Sequence, residues 1–174
     1  NIGTTTPTIS PAIITQGSGF AGIKVNAGDH GGTVNLTNGS SIEVLAGSGS
    51  SRNGLVIASG AAGASKTYTI DIDGSITSAA AQGDGVRLEG TNYSVFDVTF
   101  GRHAVVGGGT GDDGVMVTGA QSLMLKNYGI LQGGSGQPTS GGEGINVGNG
   151  TRTAADGITI ENHNPFTIKL LRRQ

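Results

Sequence analysis

The chain has no cysteine and no tryptophan, and only 4% of its 174 residues are aromatic. Without cysteine, neither a disulfide framework nor a thiolate metal site is possible. With so few aromatics, a compact globule would lack the bulky residues that usually fill its core. Charge is also sparse: Lys+Arg number 10, Asp+Glu 12, and the net charge is −2. No basic field is present to attract nucleic acid or an anionic membrane. No apolar run approaches the roughly 20 residues of a membrane-spanning helix. The chain begins at Asn1 without Met or a signal-type segment, and reads as a mature or excised piece.

Glycine is what the chain has in excess, at 34 residues. It shows no Gly-X-Y triplet period, which excludes collagen. Disorder is opposed by Ile, Val and Leu recurring in alternating runs. A short pattern, Gly followed by aliphatic-x-aliphatic, occurs five times. The instances are Gly22-Ile23-Lys24-Val25, Gly54-Leu55-Val56-Ile57, Gly85-Val86-Arg87-Leu88, Gly114-Val115-Met116-Val117 and Gly144-Ile145-Asn146-Val147. Successive glycines lie 32, 31, 29 and 30 residues apart. A period in this range is the mark of a stacked repeat.

A second alternating run follows each instance: Thr33 to Leu36, Thr69 to Ile72, Val95 to Val98, Ser122 to Leu125, and Gly157 to Ile160. A third, shorter apolar segment comes next, with core candidates Ile42 with Val44, Ile76, Val105, Ile130, and Phe166 with Ile168. A Gly/Ser/Ala-rich loop then leads to the next repeat. Strict alternation marks strands with one buried face. Helix is disfavoured by the β-branched residues and the frequent glycines. Three short strands per unit of about 30 residues describe one coil of a β-solenoid. The predicted fold is all-β: a right-handed parallel β-helix of about five coils, its hand following from the crossover rule. Similar strands recur because they stack in register.

Residues 1–20, with Pro7 and Pro11, form a lead-in or N-terminal cap, in which Ala12-Ile13-Ile14 is expected to cover the open end. Residues 21–174 form the β-helix. It reads as truncated, because no sixth Gly-aliphatic strand or cap follows the fifth coil. Asn38, Asn127 and Asn162 each follow the second run's last core residue by two positions. They are expected to stack at a corner and bond along the axis.

The stretch Leu125-Lys126-Asn127-Tyr128-Gly129-Ile130-Leu131-Gln132-Gly133-Gly134, then a Gly/Ser loop, then Gly144-Ile145-Asn146-Val147, resembles the passenger region of autotransporters. These are the type V secreted proteins of Gram-negative bacteria. The resemblance spans roughly residues 20 to 168. It implies a cleaved signal peptide, export as an unfolded chain, and a C-terminal outer-membrane barrel as the link to the membrane. It also implies roles in adhesion, aggregation and virulence at the cell surface. A chain without cysteine fits passage through a narrow barrel.

One column carries the candidate chemistry. The residue before each repeat glycine is Ala21, Asn53, Asp84, Asp113 and Glu143. Stacking would place Asp84, Asp113 and Glu143 on neighbouring coils about 4.8 Å apart. If unpaired, they should repel and at least one pKa should rise. Such a column is a candidate ligand site for Ca²⁺ or for acid/base glycoside cleavage. Gly111-Asp112-Asp113-Gly114-Val115 looks like the Gly-Asp-Asp motif of polygalacturonase-type β-helix hydrolases, and Asp84 falls one coil earlier. That family's Gly-His-Gly and Arg-x-Lys motifs are absent. His30, His103 and His163 share no ligand spacing. Gly107 to Gly111 leads into a strand, so it is no phosphate loop. The terminal Lys169, Arg172 and Arg173 read as a solvated tail.

The sequence therefore predicts a non-enzymatic surface scaffold with no cofactor and no metal. It would sit on the Gram-negative outer membrane or outside the cell, and its partner would be a host ligand or a second copy. The competing expectations are a glycan-cleaving enzyme and a phage or secreted glycan-binding spike.

Overall fold

The computed structural model describes residues 12–15, 21–28, 30–45, 52–79, 83–135, 142–148, 157–164 and 170–171. Strand β1 (Ala12–Thr15) precedes the first coil. That coil comprises β2 (Ile23–Gly28), β3 (Gly32–Leu36) and β4 (Ser41–Val44). The second holds β5 (Leu55–Ser59), β6 (Lys66–Ile72) and β7 (Ser75–Ser78). The third holds β8 (Val86–Glu89), β9 (Ser94–Phe100) and β10 (Val105–Gly107). The fourth holds β11 (Val115–Thr118), β12 (Ser122–Asn127) and β13 (Ile130–Gln132). A fifth begins with β14 (Ile145–Val147) and β15 (Ile158–Asn162), and β16 (Leu170–Leu171) follows.

These strands form three parallel sheets, ordered β2-β5-β8-β11-β14-β16, β3-β6-β9-β12-β15 and β1-β4-β7-β10-β13. The fold is a β-solenoid with three strands per coil. Four coils are complete among the described residues, where about five were expected; Phe166 and Ile168, the third-strand candidates of the fifth, lie outside them.

The repeat motif aligns as expected. Ile23, Leu55, Val86, Val115 and Ile145 pair in one register. Leu55, Val86, Val115 and Ile145 are almost fully buried. The repeat glycines are explained by close approach. A Cβ on Gly22 would lie 2.6 Å from the Gly54 carbonyl oxygen, and one on Gly85 2.7 Å from that of Gly114. Each glycine therefore leaves room for the main chain of the coil above. None of these glycines has positive φ, so the position uses the missing side chain and not conformational freedom.

The middle residue of each motif should face outward by alternation, but Val56 is only 4% exposed. It pairs in register between Lys24 and Arg87. A short side chain between two longer ones is shielded by their aliphatic stems.

Two register expectations are corrected. In the second sheet, Val34 stacks with Ile70, Val98, Leu125 and Ile160. Leu36 stacks with Ile72, Phe100, Asn127 and Asn162. The runs in the later coils are thus displaced by two residues from the alignment drawn above. Asn127 and Asn162 share a column, and Asn127 Nδ2 donates to Asn162 Oδ1 at 3.0 Å. Asn38 is not in that column; it is exposed in the turn after Leu36. In the third sheet, Ile42 stacks with Ile76, Val106 and Leu131. Val106 and Leu131 are the buried residues, whereas Val105 is half-buried and Ile130 is 45% exposed.

Ala12 to Thr15, in the lead-in segment, runs parallel to β4, Ala12 opposite Ser41, and extends the third sheet beyond the first coil. Pro7 and Pro11 lie outside the described residues. At the other end a sixth strand of the first sheet does exist, with Leu170 opposite Ile145.

Candidate functional site

The three acids of the candidate column are stacked, and they are bonded. Each ladder residue precedes a repeat glycine, at the corner where the chain enters the first sheet. Asn53 Oδ1 accepts the main-chain N–H of Asp84 at 2.8 Å. Asp84 Oδ1 accepts that of Asp113 at 3.2 Å, and Asp113 Oδ1 accepts that of Glu143 at 2.9 Å. The main chain bonds the other way: Gly54, Gly85 and Gly114 donate to the carbonyls of Asp84, Asp113 and Glu143 at 2.9, 3.0 and 2.8 Å. The side chains of Asn53, Asp84 and Asp113 therefore each close one coil onto the next. The position requires a side-chain oxygen at this reach, which Asn and Asp both supply.

The second carboxylate oxygens are bonded too. Arg87 Nη1 donates to Asp84 Oδ2 at 3.0 Å, and Arg87 Nε to Glu89 Oε1 at 2.8 Å. Asn146 Nδ2 donates to Asp113 Oδ2 at 2.8 Å. Arg87 and Asn146 each lie three residues past a column residue, on the outer face of the first sheet.

Asp84 and Asp113 are 4% and 7% exposed; Glu143 is half-buried. Burial pushes the Asp84 carboxyl up to about 6, against the pull of Arg87 and of the Asp113 N–H. The charge of Asp113 adds the least of the upward causes. Desolvation, not the repulsion anticipated from the sequence, dominates. Burial also works against the charge of Arg87, but its bonds to Glu89 and Asp84 more than offset this and hold its pKa above the usual value. Asp84 loses more solvent than Arg87, which stays partly exposed. Arg87 recovers because two carboxylates share it, whereas Asp84 has one cation.

Glycoside cleavage needs carboxyl groups that reach a substrate or a water. Both oxygens of Asp84 and both of Asp113 already accept hydrogen bonds from the chain. Asp112, the other acid of the Gly-Asp-Asp stretch, is half-buried. Gln82, in the triplet before Gly85, lies outside the described residues.

His103 Nδ1 meets Asp73 Oδ2 at 3.0 Å, and the same carboxylate takes the His103 main-chain N–H on Oδ1 at 3.0 Å. His163 stacks on Tyr128 with ring centroids 4.6 Å apart. Among the described residues, no group of three or more His, Asp or Glu is placed to hold a metal ion. An apolar concavity lies at the first-coil end, lined by Ile23, Val25, Val34, Leu36 and Ile42. It is the end of the core itself. The tail residues Lys169, Arg172 and Arg173 lie outside the described residues.

Two features escaped the sequence reading. Asn146 and Arg87 were not singled out, although the spacing of Arg87 three residues past Asp84 was a usable signal. Arg52 was not singled out. It is 1% exposed, the largest fully buried side chain among the described residues, and nothing in its Ser-Arg-Asn context marks it.

No protein-family model, curated protein or solved structure matches this chain.

Proposed function

We propose that this chain is a surface scaffold, a fragment of an autotransporter-type passenger at the Gram-negative cell surface that serves adhesion or self-association. The observation that carries this reading is the ladder Asn53–Asp84–Asp113–Glu143. Two of its acids, Asp84 and Asp113, the best candidates for chemistry, are bonded to the main chain of the next coil. They act as wall. A wall that repeats every coil yields length and rigidity, and its outer faces and loops remain for contact.

The competing reading, a glycan-cleaving β-helix enzyme, draws on one specific observation. A carboxyl at about 6 is suited to general-acid work, and Asp84 is held there. The test combines gene context with turnover. A C-terminal β-barrel encoded downstream, and cell-surface display that promotes clumping or adhesion, support the scaffold. Absence of that barrel, or release of reducing ends from acidic polysaccharides, opposes it.

A further inference from the structure

We propose that Arg52 anchors a small-oxyanion site at the corner between the first and second coils. The guanidinium is taken out of water: the residue is 1% exposed. Its Nε and Nη1 have no hydrogen-bond partner. Among the described residues it joins no ion pair.

The main chain at this corner is held. Ser78 Oγ donates to the Arg52 carbonyl at 2.9 Å, and Ser78 is itself 5% exposed. The next residue, Asn53, is fixed through its side chain to the N–H of Asp84. In the following coil Gly83 precedes the ladder residue Asp84 as Arg52 precedes Asn53. A Cβ on Gly83 would collide with the Arg52 carbonyl, so the two coils are in close contact here. The backbone beneath the guanidinium is thus positioned by the wall.

A buried cation without a partner is among the least favourable arrangements in a protein interior, and arginine cannot escape it by losing its proton. The ordinary use of a buried arginine stem, packing with the head in water, does not describe a residue whose Nε and Nη1 are both enclosed. The fork of N–H donors matches two oxygens of a carboxylate, sulfate or phosphate. The small exposed area suits a free ion or the terminal charged group of a larger ligand, not a polymer backbone. This site stands whether or not the scaffold reading holds.

The experiment is an NMR titration of the ¹⁵N-labelled chain that follows the Arg52 Nε–H signal. Sodium sulfate is added first, then in a separate series sodium galacturonate, with ionic strength balanced by sodium chloride. Melting temperature is read in parallel. The expected result is a saturable shift of the signal and a saturable rise in melting temperature with at least one of the two. Sulfate alone identifies a free inorganic ion; galacturonate identifies the carboxylate of an acidic sugar. Arg52→Met should lose both responses and melt no lower than wild type in anion-poor buffer. An unmoved Nε–H signal in both series, or an undiminished response in Arg52→Met, overturns the site. If Arg52→Met does not fold, the wild-type titration alone decides.

Discussion

Asp84 takes the main-chain N–H of Asp113, one coil further along, on its Oδ1 at 3.2 Å. The coil below makes the same link with an amide, Asn53 Oδ1 to the N–H of Asp84. The link needs an acceptor and not a charge. Asp84→Asn should therefore preserve it, while Asp84→Ala leaves a buried N–H without an acceptor and costs about 1–3 kcal/mol. The pair of variants, compared by urea midpoint, separates the two roles of the carboxylate.

The pH response follows from the same residue. Its carboxyl lies at about 6 in the fold against 3.8 for the free group. The folded state holds the proton more tightly, so ionisation weakens the fold. The stabilising contribution is present in full below about 3.8 and is lost as pH rises to about 6 and above. Across that window the change is on the order of 3 kcal/mol for this group. Mild acidification from neutral pH should raise the melting temperature, and Asp84→Asn should flatten the rise. A wild-type melting curve that is unchanged or falls between neutral pH and pH about 5, with no difference in the Asn variant, would show that Arg87 fully compensates the burial. Added Ca²⁺ should not raise the melting temperature, because the oxygens of Asp84 and Asp113 are already engaged.

The core register predicts a contrast between neighbours. Val115 is 0% exposed, whereas Met116 is half-buried on the outer face. Val115→Asp places an unpaired charge in a dry stack and should cost more than about 3 kcal/mol. Met116→Asp should stay within about 1 kcal/mol, since it faces outward in register with Arg87. Equal shifts in unfolding midpoint would contradict the inward and outward assignment.

Gly85→Ala tests the reason for the repeat glycine. The added methyl would meet the Gly114 carbonyl and a Val106 methyl, both at 2.7 Å, and should cost about 1–3 kcal/mol. Gly157→Ala, where a Cβ meets nothing within 4 Å, should be close to neutral in the same denaturation assay.

The third sheet shows where sequence patterning stops being decisive. Val105-Val106 and Ile130-Leu131 are adjacent apolar pairs, and alternation cannot choose between two neighbours that both fit. The pairing of Ile76 with Val106 settles it. The second sheet fails differently. A slip of two residues keeps every side chain on its correct face, so parity gave no warning that Phe100 and Asn127 share a column. The first sheet was legible because the close approach at each glycine admits nothing larger, which fixes the register by chemistry. The acid column was legible for the same reason, one residue before that glycine. Its bonding was not, since the acceptor role depends on where the next coil's N–H falls. Leu131→Ala should cost about 2–5 kcal/mol and Ile130→Ala under about 1 kcal/mol, read as urea midpoints.

The ladder also gives the sharpest discrimination between scaffold and enzyme, through Asp113. An asparagine there keeps an Oδ1 to accept the N–H of Glu143, as Asn53 does for Asp84. Asp113→Asn should therefore fold, with an unfolding midpoint near that of wild type. A scaffold loses nothing by this exchange, so clumping or adhesion of displaying cells should match wild type. A glycosidase that uses Asp113 would lose several orders of magnitude in turnover, because an amide cannot act as base, acid or nucleophile. The measurement is reducing-end release from acidic polysaccharides by both chains. Neither should release any. Release by wild type that disappears in Asp113→Asn would make the column a catalytic site and end the scaffold reading.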